Sequence, residues 1–229
     1  MEAIILAGGF GTRLAHIVKD VPKPMAPVCG VPFLTYIIDD IMNKGVKKAI
    51  LAVGYKKKII EDYFKDKYYT CDIEYSDEDK PLFTGGAIKK ALNKCKDENV
   101  LVINGDTFFD VDLEDMLNFH IQNNADITVA CKKMFDFDRY GTVNIEDGRI
   151  TEFKEKVFIE EGIINGGIYI IKKDLLNCIQ EEKFSFETDF MEKEVCNKRI
   201  YAFLSDGYFI DIGIEKDYYK AQEDFAKNE

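Results

Sequence analysis

Ala3-Ile4-Ile5-Leu6-Ala7 runs without a break into Gly8-Gly9-Phe10-Gly11-Thr12-Arg13-Leu14, and Pro22-Lys23-Pro24 follows closely. The apolar run is the pattern of a strand buried on both faces. Three glycines then let the backbone turn tightly and bring its N–H groups up to a ligand, where any Cβ would intrude. Arg13, a planar fork, and Lys23, a point charge, stand at the two ends of this loop and suit phosphate oxygens. Two prolines fix the backbone on either side of Lys23. The loop suits a nucleoside triphosphate. It is not a P-loop, since no window supplies G-x-x-x-x-G-K-[ST]. Nor is it the dinucleotide fingerprint: Leu14 stands where the third glycine belongs, and Cys29, Gly30 and Val31 lie where the ribose-binding acid would be.

Outward from the loop, strand and helix signals alternate. Residues 2–7, 47–53, 72–76 and 99–104 read as strands. Between Pro32 and Gly45, residues Phe33, Leu34, Ile37, Ile38, Ile41 and Met42 share one helical stripe. A second helix is expected over Thr84 to Cys95, capped by Thr84. This predicts an α/β fold with a Rossmann-like mixed, mainly parallel sheet flanked by helices. Ligands of such sheets sit beyond the carboxyl ends of the strands, so the glycine loop and Asp106 should face one crevice. After Asp106 come a helix opened by Asp112, strand signals at 126–133, 140–146, 149–153 and 162–171, and an Asp147-Gly148 hairpin turn. Helices near 172–180 and 186–197, short strands at 200–204 and 207–212, and a last helix from about 214 complete the reading. One domain over residues 1–229 is expected.

The net charge of −11 argues against nucleic acid, which needs a basic footprint. A few fixed cations in a cleft still suffice for a nucleotide. No stretch has the length of a membrane span, and the N-terminus lacks the basic region of a signal peptide. Six cysteines without a C-x-x-C pair read as reduced, mostly buried thiols in a cytoplasmic protein. Lys56-Lys57-Lys58 reads as the solvated start of a surface helix.

The opening motif with Pro22-Lys23-Pro24 resembles the signature of the sugar-1-phosphate nucleotidyltransferases, also called NDP-sugar pyrophosphorylases. The similarity extends in order through Gly54-Tyr55-Lys56, Pro81 to Ala87, Asn104-Gly105-Asp106, Glu155-Lys156, Asn165 to Tyr169 and Phe209 to Gly213. Within that family the chain most resembles the enzymes that pass a guanylyl group to a heptose 1-phosphate for capsule, lipopolysaccharide or S-layer glycans. The resemblance implies attack of a sugar 1-phosphate oxygen on the α-phosphorus of GTP, with release of pyrophosphate. An anionic nucleophile needs no general base, and the chain offers only His16, read as a solvated loop residue, and His120, read as structural. Mg²⁺ suits the compensation of two repelling phosphates, and the resemblance places it on Asp106 and Asp211. By the same resemblance Arg13 grips the β- and γ-phosphates, Lys23 the α-phosphate and Lys156 the phosphate of the sugar. Leu6, Ala7, Gly8, Gly9, Gly11, Thr12, Thr84 and Gly85 would complete the nucleotide site, with Gly141, Glu155, Asn165 and Gly166 on the sugar side. The chain stops where larger relatives add a further domain, which implies one activity; a homo-oligomer is left open.

Some residues keep two readings. Glu78 either accepts the two adjacent donors of guanine or is one more solvated acid beside Asp77 and Asp79. Glu187 and Asp189 either bind the side chain of a heptose or form the acidic first turn of a helix capped by Ser185. Phe83 departs from the family, which has glycine there, so it gives up a backbone contact or stacks on the base. Two other functions compete. One is transfer from UTP, dTTP or CTP to another sugar 1-phosphate or to phosphocholine. The other is a non-catalytic nucleotide-sugar sensor, against which the joint presence of Arg13, Lys23, Asp106, Lys156 and Asp211 argues.

Overall fold

Ile4 faces one side of the central sheet and Ala3 and Ile5 the other, and all three are fully buried. Ile50, Val100 and Val102 repeat the first orientation; Ala49, Leu51, Leu101 and Ile103 repeat the second. Such strands need a cover on both faces, and helices supply it. The computed structural model describes every residue except Phe10, Ala15, Glu155, Lys156, Asn228 and Glu229.

The strands among the described residues are β1 (Ala3–Leu6), β2 (Pro27–Val28), β3 (Val31–Pro32), β4 (Lys48–Val53), β5 (Lys67–Tyr68), β6 (Cys71–Asp77) and β7 (Asn99–Asn104). They continue with β8 (Thr107–Phe109), β9 (Ile127–Phe137), β10 (Thr142–Glu146), β11 (Arg149–Lys154), β12 (Ile159–Lys172), β13 (Ile200–Leu204) and β14 (Phe209–Asp211). The helices are α1 (Phe33–Asn43), α2 (Lys57–Phe64), α3 (Phe83–Leu92), α4 (Leu113–Gln122), the single turn α5 (Glu192–Glu194) and α6 (Glu215–Ala226).

Ten strands form one sheet in the order β10-β11-β13-β9-β12-β7-β1-β4-β6-β5. The sheet is mixed, as expected, but parallel pairing is confined to β7-β1-β4-β6 and to β13-β9. The rest pairs antiparallel, so "mainly parallel" holds for the half that carries the glycine loop and not for the other. Two short ribbons, β14-β8 and β2-β3, lie outside this sheet.

Local chemistry explains most boundaries. In α1, Phe33, Leu34, Ile37, Ile38 and Ile41 are buried, each worth about 1.5–3 kcal/mol before entropy is set against it. The helix ends on Gly45 at φ +88, with Gly45 N–H donating to Met42 and Val46 N–H to Ile41. That is the glycine-terminated closure of a helix by its last carbonyls. Asp112 caps α4 by accepting from Asp115 N–H at 2.9 Å, and Asp147 and Gly148 turn with φ +49 and +77, as a two-residue hairpin requires. Lys57 opens α2 at the surface.

The helix expected near 186–197 is present as a π-helix, Phe186–Met191, that runs directly into α5. Three expectations need correction. Thr84 does not cap α3, which starts one residue earlier with Leu82 at its N-cap; the Thr84 hydroxyl is taken elsewhere. Residues 173–178 form consecutive three-residue-closing turns and not a helix. Three of the six free cysteines are buried, Cys71, Cys95 and Cys131, while Cys178 and Cys196 are exposed.

Candidate active site

A cavity of about 700 Å³ opens where β1, β6 and β7 end. Its phosphate end is the glycine loop. Gly8 packs so closely that a Cβ would lie 2.7 Å from the Glu78 carboxylate and 3.3 Å from Gly54 N. Gly11 has φ +59, and a Cβ there would lie 2.7 Å from Cβ of Lys23. Gly9 has nothing within 4 Å of its Cβ position, which leaves its backbone open to a ligand. Leu14, which stands where the dinucleotide fingerprint has its third glycine, is buried and pins the loop to the core.

Lys23 sits in a short helical turn after Pro22 and is 8% exposed. Its ammonium donates to Asp106 at 2.5 Å and to Asp211 at 3.5 Å. The two carboxylates come together because β14 pairs with β8 so that Asp211 lies opposite Thr107, the neighbour of Asp106. Asp211 accepts from Gly213 N–H at 2.6 Å and from the Arg139 guanidinium at 3.2 Å. Burial, and then the charge of Asp106, raise the Asp211 carboxyl above its ordinary range, against the pull of Lys23 and Arg139. Two carboxylates crowded around one cation are a donor set of hard oxygens, and the cost of their repulsion is what a divalent ion would relieve.

At the other end Glu78 is half-buried, accepts Leu82 N–H at 3.1 Å and has its carboxyl raised by that burial. Phe83 and Thr84 line the wall beside it. The Thr84 hydroxyl donates to Glu187 at 2.6 Å and accepts Phe186 N–H at 2.8 Å. Glu187 also accepts from Ser185 and Tyr169 hydroxyls. Ser185 caps the following turn, with Thr188 N–H at 3.2 Å, and Asp189 accepts Ser185 N–H at 2.9 Å. Both readings of this acidic pair therefore have a footing: Asp189 closes a cap, and Glu187 and Asp189 both face the cavity.

Leu6, Gly8, Gly9, Gly11, Arg13, Lys23, Glu78, Thr84 and Asp106 line the cavity. Other expected residues do not. Ala7 is buried with its N–H on Ala52 O. Gly85 donates to Phe184 O, and a Cβ there would meet the Phe184 ring at 2.2 Å, so its smallness serves packing and its N–H is already used. Asn165 bonds Gly167 N–H and the Tyr169 hydroxyl, holding an irregularity in β12. Gly166 packs on Phe109, and Gly141 lies against Lys154 O. Glu155, Lys156 and the Thr12 side chain lie outside the described residues. His16 stays exposed beside Glu215. Sequence reasoning missed Arg139, which pairs with both Asp211 and Asp217 and lies over the Tyr140 ring.

The family model for nucleotidyl transferases matches residues 2–228. The chain belongs to this family. It is 53% identical to the D-glycero-alpha-D-manno-heptose 1-phosphate guanylyltransferase of Aneurinibacillus thermoaerophilus, over 98% of both chains. It is 50% identical to the enzyme of the same name from Campylobacter jejuni, over 96% of this chain and 97% of that one. Among solved structures, HddC from Yersinia pseudotuberculosis complexed with GMP-PN superposes with a TM-score of 0.89 at 38% identity, covering 98% of this chain and 99% of that one. The crowded carboxylates of Asp106 and Asp211, bridged by the Lys23 ammonium, are a donor set that fits a divalent ion.

Proposed function

We propose that this chain transfers the guanylyl group of GTP to D-glycero-α-D-manno-heptose 1-phosphate, giving the GDP-heptose and pyrophosphate. The observation that carries the reaction class is the cluster of Lys23, Asp106 and Asp211 beside a glycine loop open to phosphate. The two relatives at 53% and 50% identity support the choice of substrates.

An oxygen of the sugar 1-phosphate forms a bond to the α-phosphorus, the bond from that phosphorus to the bridging oxygen breaks, and its electron pair leaves with pyrophosphate. The nucleophile is an anion at neutral pH, so the protein's task is to bring two polyanions together. Open backbone at Gly9 and the fork of Arg13 meet the leaving phosphates. Lys23, held by two prolines, supplies positive charge where the α-phosphate reacts. Asp106 and Asp211 would hold Mg²⁺, which neutralises charge shared by the two phosphates when bound. Arg139 fixes Asp211 from behind. Glu78 accepts guanine N1–H and the N2 amine, a donor pair that uracil and thymine lack. Lys156 and Glu155 take the sugar phosphate and a sugar hydroxyl pair. One domain acting in the cytoplasm completes the reading.

A substrate matrix read by pyrophosphate release tests it, with GTP, UTP, dTTP and CTP against heptose, mannose and glucose 1-phosphates and phosphocholine. GTP with the heptose 1-phosphate should release fastest. A faster pyrimidine nucleotide would overturn the guanine assignment. Tight nucleotide binding with no release on any acceptor would make the chain a sensor.

A further inference from the structure

Phe83 stands in the left-handed backbone region, at φ +59, and the residue is 56% exposed. Either fact alone is unfavourable. A bulky side chain at positive φ is a genuine outlier, because Cβ crowds the following carbonyl. An exposed phenyl ring gains no burial in return. Glycine at this position would remove both costs while keeping the turn into α3. The strain and the exposure coincide at a residue that lines the cavity. Held strain of this kind is found at ligand clamps.

The ring's surroundings indicate what it meets. Lys183 brings its ammonium to 4.4 Å from the ring centroid, a cation–π contact that steadies the ring. Leu82 N–H, one residue before, donates to the Glu78 carboxylate, so the ring and that acid belong to one hydrogen-bonded segment. Pro81 adds a second apolar surface in the same part of the cavity. A planar heteroaromatic ring with polar donors on its edge matches this combination of face and acid.

We propose that Phe83 stacks on the nucleobase of the bound nucleoside triphosphate and contributes base-tolerant affinity, while Glu78 reads the edge. This rests on the nucleotide-site reading above and not on guanine being the base. The test compares F83G, which removes ring and strain together, with F83A, which removes the ring alone, and F83W, which keeps a ring. Dissociation constants are measured for GTP and for whichever nucleotide the wild type uses best, with inorganic tripolyphosphate as a ligand without a base. Aromatic stacking on a base predicts a loss of about 5- to 150-fold in nucleotide affinity for F83G and F83A, retained affinity for F83W, and unchanged tripolyphosphate binding. F83G should also melt higher than F83A, which shows that both variants fold and that the strain belongs to the backbone. Unchanged nucleotide affinity in F83G overturns the proposal. So does a loss confined to KM of the sugar 1-phosphate, or an equal loss for tripolyphosphate. A wrong base assignment would instead show in the wild-type nucleotide ranking, with the loss in F83G persisting for the preferred nucleotide.

Discussion

Replacing Lys23 by methionine isolates the charge at the centre of the site. Methionine keeps an unbranched stem in the packed turn and deletes only the ammonium. Removing one partner of a fully buried ion pair costs about 3–5 kcal/mol. Here Asp106 is 36% exposed and Asp211 18%, and Arg139 still faces Asp211, so the expected loss is about 1–3 kcal/mol. Asp211 sets a ceiling. Its carboxyl is already raised by burial and by Asp106, and it can take up a proton in place of the lost cation. For a chain of this length each kcal/mol moves Tm by about 2–4 °C, so K23M in chelator should melt about 2–12 °C below the wild type.

A divalent ion on the two carboxylates would replace the missing charge. The gap in Tm should therefore close as Mg²⁺ is titrated in, with a lower midpoint in K23M because no ammonium competes; a tenfold gain in affinity corresponds to about 1.4 kcal/mol. Turnover should stay about 10²–10³-fold down throughout, because the charge facing the α-phosphate is not restored. The assay is thermal melting across a Mg²⁺ series beside initial rates of pyrophosphate release. Equal Tm values in chelator, or a gap indifferent to Mg²⁺, would refute the reasoning that one cation position is shared by lysine and metal.

Asp106→Asn and Asp211→Asn should each lower kcat by about 10²–10³ while the fold melts near its usual temperature; near-normal Mg²⁺ dependence in either variant would remove that residue from the metal site. Gly85→Ala should cost about 1–3 kcal/mol through overpacking, because its Cβ would meet Phe184 at 2.2 Å, with KM for GTP changing little if the glycine serves packing. Burial lowers the His120 imidazole from its ordinary value to about 4. The unfolded chain takes that proton first as pH falls below about 6.5, so this group's share of stability is complete above that pH and declines by about 1.4 kcal/mol per unit toward 4. Denaturant unfolding of wild type and H120Q should converge over that window, and parallel curves would show that His120 is not the group. Glu78→Gln should narrow the preference for GTP over ITP, a gap worth about 1–3 kcal/mol if both donors are read; a gap that survives unchanged assigns the reading elsewhere.

What was legible in the chain is what local chemistry encodes. The strand Ala3–Leu6, the glycine turn and the proline-fixed Lys23 each carry their reason within a few residues, and the cavity indeed gathers them. Thr84 shows the limit. As a threonine before an amphipathic stripe it has the mark of a helix cap, yet its hydroxyl is claimed by Glu187, 103 residues away. Arg139 is invisible for the same reason, since its partner Asp211 is 72 residues distant. Asn165 carries a family pattern, but its two amide ends are spent on Gly167 and Tyr169, and only the register shift in β12 makes that necessary.

The proposed metal-binding pair depends on a third level, strand register. Asp106 and Asp211 each read as an acid at a strand end, and nothing in either segment says that the two ends meet. They meet because β14 lies antiparallel to β8 with Asp211 across from Thr107. A slip of one residue would turn Asp211 to the opposite face of that ribbon. Contacts at both edges resist the slip. Gly105 approaches Leu6 O so closely that a Cβ would lie 2.6 Å away, and Gly213 both donates to Asp211 and leaves room for the Lys23 ammonium. The ammonium then rewards the correct register by bridging the two acids. Gly105→Ala should thus damage activity without touching a ligand, by pushing Asp106 away from β1 and loosening the pair. If it instead leaves kcat and the Mg²⁺ midpoint intact, the register is held by the ribbon alone and the close approach of Gly105 to Leu6 plays no part.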